Sequence, residues 1–306
     1  MKAQKRLGFT LFQLLVVLAI FAILLGLFLP AVAKVRQAAD RMNSMNNMKQ
    51  IGLACHNYHD ANGAFPPGVD ENHFSAAAKL LPYIEQANIY NQIDFKKSID
   101  DAANAPMRKL LIKTFFNTEN DPLPPLVPGA EFGPTNYLFN AGSKPDLDKN
   151  NGIFYLDSKT KIAEITDGTS NTLMTGETLR GDGGKQATDV RRQYVALDKK
   201  ALNDLKDDSG VQEFKDSKNI AGNRGWSWMD GRFLQGTFTG TRIANDDKPD
   251  VDCGGAGGLS ALRSIPGASV IVGMCDGSVR AISKELKLET WRALATRNGG
   301  EVIPEF

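Results

Sequence analysis

FTLFQLLVVLAIFAILLGLFL, from Phe9 to Leu29, is 21 residues without a charge, broken only by Thr10, Gln13 and Gly26. A helix of about 20 predominantly apolar residues, rising about 1.5 Å per residue, is what a hydrocarbon layer requires. The segment therefore predicts a transmembrane helix. Working outward, Lys2, Lys5 and Arg6 precede it, and Lys34 and Arg36 follow it. A short basic cluster set directly against an apolar run stays in the cytoplasm, so the bulk of the chain is expected on the other side. The competing reading is a removable secretory signal, with Ala31-Val32-Ala33 imitating the small-x-small cleavage site. Its apolar stretch normally runs about 7–15 residues, shorter than this one.

The rest of the 306-residue chain is globular in composition: 42% of all residues are hydrophobic and 23% are charged. The 36 basic and 35 acidic residues nearly cancel, which leaves no electrostatic footprint for nucleic acid. Beyond Pro30, the residues Val35, Ala38, Met42, Met45, Met48, Ile51 and Cys55 recur mostly three or four apart. Charged and amide residues fill the other faces, the pattern of an amphipathic stalk helix. Gly63, Pro66 and Pro67 end it.

From residue 63 onward the pattern is mixed. Helices are expected over Phe74–Asn91, Ala105–Phe115, Arg191–Lys206 and Leu286–Thr296. Strands are expected over Asn136–Phe139, Ile153–Leu156, Thr172–Thr175, Gly225–Met229, Val270–Met274 and Val279–Ile282. Asp276-Gly277 between the last two predicts a tight hairpin. The fold class expected is α+β, with the long N-terminal transmembrane and amphipathic helix packed on a mixed, largely antiparallel sheet.

Chemistry-bearing motifs are few. There is no Gly-x-Ser-x-Gly, no phosphate loop, and only three His (His56, His59 and His73), so no enzymatic activity is expected. Asp146, Asp148, Asn150 and Asp157 occupy the first, third, fifth and twelfth positions of a calcium-type loop, whose sixth position is Asn151 in place of Gly. Calcium is the one cofactor expected at all, the other reading being a polar turn. Asp246, Asp247, Asp250 and Asp252 form a second acidic cluster. Cys55, His56 and His59 share a helix turn and read as helix-end packing or as part of a metal site. Cys253 and Cys275 are candidates for a disulfide outside the cytoplasm. Trp226 and Trp228 alternate with Ser227, so on a strand both would point to one side, as a ligand face or as core.

Lys5-Arg6-Leu7-Gly8-Phe9-Thr10-Leu11, followed by the apolar run and Pro30, resembles the processing site of type IV prepilins and pseudopilins. The resemblance implies cleavage after Gly8 by a prepilin peptidase, N-methylation of Phe9 and a helix kinked at Pro30. Gln13 stands where that family carries Glu. An amide cannot neutralise a neighbour's N-terminal amine, which implies a minor subunit. Further blocks resemble an uncharacterised family of prepilin-like proteins abundant in planctomycete bacteria: Asn46 to Gly68, Leu80 to Gln86, Ile162 to Glu177, Cys275 to Val279 and Trp291 to Val302. Ile265 stands where that family has His. The organisation implied is a leader (1–8), a membrane helix (9–30), a stalk (31–62) and a pilin-like α+β globular domain (63–306). The resemblance implies a single-pass protein of the bacterial inner membrane with its C-terminal domain periplasmic. It would contact lipid and other pseudopilins or secretion components of a type II secretion or pilus-like system. The alternative is a tethered binding module for carbohydrate or another ligand.

Overall fold

The computed structural model describes residues 11–117, 121–124, 132–265 and 267–303. The chain divides into two compact units, Met1–Asn43 and Ser44–Phe306. Helix α1 runs Leu11–Asn62. Every described side chain from Leu11 to Leu24 is exposed, including Leu11 at 77% and Phe12 at 75%. Gly8 and Phe9 lie outside the described residues, and so does the side chain of Pro30.

Short helices α2 (Ala76–Leu80), α3 (Ala87–Tyr90) and α4 (Ala105–Arg108) follow, then β1 (Tyr137–Gly142), β2 (Leu173–Glu177) and β3 (Tyr194–Leu197). Next come α5 (Val211–Lys215), β4 (Ile220–Ala221), β5 (Thr237–Thr239), β6 (Asp250–Cys253), β7 (Gly258–Leu259), β8 (Ser269–Met274), β9 (Val279–Ser283) and α6 (Leu288–Ala295). They build two sheets. One has the order β5-β1-β2-β8-β9 and the other β4-β3-β6-β7. Each is mixed: β1 with β5 and β3 with β6 are parallel, and the remaining pairs are antiparallel.

This corrects the expected fold. Two mixed sheets stand where one mixed, largely antiparallel, pilin-like sheet was expected, and among the described residues no helix is long and apolar enough to cross a membrane.

Period-two alternation in the five-stranded sheet sorts its side chains onto two buried faces. Tyr137, Phe139, Met174 and Ile271 join Met48, Ile51, Ala54 and Cys55 of α1 in the largest core cluster. Leu138, Leu173, Val270, Val272 and Met274 point the other way, onto Trp291 and Leu294 of α6. Met48 reaches the sheet because Gly273 offers no side chain: a Cβ there would lie 3.1 Å from the Met48 Cγ. Thr175 donates its hydroxyl to the Met48 sulfur, and Ser44 donates to buried Glu177, which also takes the Ile271 N–H.

Several expected elements differ. Phe74–Asn91 is broken by a 3₁₀ turn containing Pro82 and by Glu85 in the left-handed region (φ 62). Arg191–Lys206 holds strand β3 and a 3₁₀ turn capped by Asp198, not an α-helix. Ile153–Leu156 and Gly225–Met229 are not strands. Ile153 and Phe154 both donate their N–H to the Asn140 carbonyl, which makes a turn folded back onto β1.

A candidate ligand cavity beside the second sheet

The second sheet and the loop before β5 border a cavity of about 400 Å³ that is open to solvent on one side. Tyr194 comes from β3 and Asp252 from β6, while Trp226, Asp230, Arg232 and Gln235 come from the loop. Glycine shapes its floor. Gly254 and Gly255 take left-handed φ values of 63° and 75°, and a Cβ on Gly255 would press on the Arg232 stem at 3.2 Å.

The loop holds itself in place. The Gln235 amide accepts the Trp226 N–H at 3.1 Å and donates to the Asn223 carbonyl at 2.8 Å. The Trp226 indole donates to the Gly181 carbonyl at 3.1 Å, which fixes the ring while leaving it half-buried. Tyr194 donates its hydroxyl to the Asn223 side-chain oxygen at 2.6 Å. Asp230 is buried and takes the Arg232 guanidinium through Nε at 2.9 Å and Nη2 at 2.6 Å. The remaining Arg232 Nη1 lies 3.5 Å from Asp100. Asp252 accepts one hydrogen bond, from the Gly255 N–H at 2.9 Å. Its second oxygen has no donor among the described residues.

Burial raises the pKa of the Asp230 carboxyl, against the pull of Arg232. Burial likewise pushes Asp252 up to about 7; the Asp230 charge adds to this, while the Gly255 N–H and Arg232 oppose it. Burial also raises the Tyr194 phenol, with Asp252 and Asp230 adding. A second cavity of about 300 Å³ adjoins the first across Arg232 and Gly255 and reaches Asp146, Asp148 and Lys199.

The two tryptophans part company. Trp226 lines the cavity, whereas Trp228 is fully buried, donates to the Leu110 carbonyl at 2.8 Å and stacks on Phe115. Their alternation would give one shared face only on a strand, and this segment is a loop. In the calcium-type loop, Asn150 spends its side chain on Lys144, Asp146 and Asn151, and Asp146 accepts the Asp148 N–H. Asp157 is exposed with a left-handed φ of 52°. Among the described residues, no group of three or more His, Cys, Asp or Glu is placed to hold a metal ion. The acidic cluster is divided: Asp250 is buried between Arg224 and Arg263, and Asp252 faces the cavity. His59 accepts the Ile162 N–H at 3.3 Å and packs on Phe65, a helix-end role. All three cysteines are free thiols; Cys275 sits in the core cluster of Cys55, and Cys253 in a separate one with Leu202 and Val251.

Tyr194, Asn223, Asp230 and Gln235 were not singled out by motif. The usable signal was the glycine run Gly254-Gly255-Ala256-Gly257-Gly258, which marks a tight connection between two strands. The family described as "Protein of unknown function (DUF1559)" matches residues 33–289, which include every residue of this cavity. The chain belongs to that family. No curated protein and no solved structure matches it. The DUF1559 match begins at residue 33, beyond the basic and apolar stretch from Lys5 to Leu29, and does not bear on the prepilin resemblance of that stretch.

Proposed function

We propose that this DUF1559 protein is a binding protein that captures a small polar ligand in the cavity between Trp226, Tyr194 and Asp252. The carrying observation is the lining itself: a half-buried indole held by its own hydrogen bond, beside a carboxylate oxygen that nothing in the described chain satisfies. Binding pockets combine apolar or aromatic walls with a few fixed polar groups, typically in about 300–1,000 Å³. Titrating the protein with a panel of monosaccharides and following tryptophan fluorescence tests this. The signal should saturate in the native chain and vanish in Trp226→Ala; a panel that leaves both unmoved refutes the reading.

A second reading concerns α1. Eleven large apolar side chains between Leu11 and Leu24 are exposed, on every side of the helix. Such a surface needs an apolar cover. We propose that it packs against the same helix of other subunits, as a pseudopilin-like minor subunit processed between Gly8 and Phe9. Mass spectrometry finding N-methyl-Phe9 at the mature N-terminus supports this reading; an intact Met1 refutes it.

A further inference from the structure

We propose that the cavity recognises an amino sugar, seating the ligand's ammonium group against Asp252 and its ring against Trp226. This rests on the cavity being the binding site and adds the class of ligand. The argument is charge balance. Among the described residues of the lining, Asp230, Asp252 and Arg232 are those that can carry a formal charge, Asp252 once its raised carboxyl is ionised. Arg232 is already engaged, by Asp230 at 2.6 Å and 2.9 Å and by Asp100 at 3.5 Å. It has little left for an anionic ligand, and it leaves the described lining one negative charge in surplus whenever Asp252 is ionised, the form a ligand cation favours. That surplus is localised, because the free oxygen belongs to Asp252.

Asp252 is half-buried and its second oxygen has no donor among the described residues, so a ligand cation within hydrogen-bond reach would make a charge-assisted contact there. Aromatic faces favour the same sign of charge. Phe132, Tyr194, Trp226 and Phe233 supply them. Asn223 is exposed at the rim, and Ser227 stands beside Asp230, so amide and hydroxyl groups are present for a ring's hydroxyls. The charges that bear on Asp252 are those of Asp230 and Arg232, and the Asp252 charge in turn raises the Tyr194 phenol and the Cys253 thiol, both neutral beside it. Lys199 lies in the adjoining cavity with Asp146 and Asp148.

Calorimetric titration of the full chain with glucosamine, N-acetylglucosamine and glucose at pH 7 and pH 5 tests the inference. At pH 7 glucosamine should bind at least about tenfold more tightly than either neutral sugar, the scale of one charge-assisted contact. Its affinity should fall about tenfold or more at pH 5, where Asp252 takes up a proton. Asp252→Asn should abolish both the preference and the pH dependence, and Asp252→Glu should restore the preference in part. Circular dichroism melts check that the variants fold. Equal affinity for all three sugars overturns the inference and leaves the binding reading standing. An absence of heat from all three, together with an unmoved Trp226 fluorescence, overturns both.

Discussion

Asp252 couples the cavity to pH. Unfolded, its carboxyl titrates in the ordinary range; folded, burial holds it protonated up to about pH 7. The folded state therefore binds the extra proton between roughly pH 4 and pH 7. That contribution to stability is complete below the unfolded value and is lost as pH rises through the folded one. The melting temperature of the native chain, measured against Asp252→Asn, should fall between pH 5 and pH 8; a flat difference would contradict it. The two neighbouring tryptophans give a second contrast. Trp228→Ala empties a fully buried site that also satisfies the Leu110 carbonyl, and should cost about 3–5 kcal/mol. Trp226→Ala should cost about 1 kcal/mol and act on binding instead. Asp250 is different again, since one carboxylate faces two buried guanidiniums. Asp250→Asn leaves Arg224 and Arg263 without their anion and should lose about 3–5 kcal/mol in urea denaturation.

At the scale of elements, the contact of α1 with the five-stranded sheet depends on a missing side chain. Gly273→Val forces atoms into space held by Met48 and by the Thr175 hydroxyl, 2.7 Å from the Cβ position. Urea melts should show a loss of about 1–3 kcal/mol. The sequence made this sheet's hairpin legible: Val270, Val272 and Met274 alternate, and Asp276-Gly277 supplies the turn between β8 and β9. Helix α6 was equally plain, because Trp291 and Leu294 fall three apart on one face. The second sheet was not legible. Tyr194 to Leu197 lies among Arg191, Arg192, Lys199 and Lys200, and this charged setting resembles a helix surface. Strand β6 was hidden among aspartates that looked like a metal cluster, because Asp250 is an inward ion-pair centre that local pattern does not reveal. The cavity went the same way. Trp226 was visible as a candidate, but its partners are brought from three separate segments by tertiary contacts.

At the scale of the molecule, the boundary between Asn43 and Ser44 separates two units with separate internal contacts. The core cluster draws on α1 only from Met45 onward. A chain starting at Ser44 should therefore keep its melting temperature within roughly 3 °C of the full chain, a shift worth about 1 kcal/mol or less. It should also run as a monomer in size-exclusion chromatography, where the full chain associates through its exposed apolar helix. A monomeric full chain would remove the support for assembly through α1.

Strand β6 carries Asp250 and Asp252 two positions apart, in ladder with β3 on one side and β7 on the other. One end of this short strand is gripped by the interior guanidiniums, and the other borders the cavity. Occupancy there should be felt as a tightening along the whole rung. The slowest-exchanging amides of β3 and β6 would then serve as a built-in gauge of whether the cavity is filled, readable by deuterium uptake without labelling any residue.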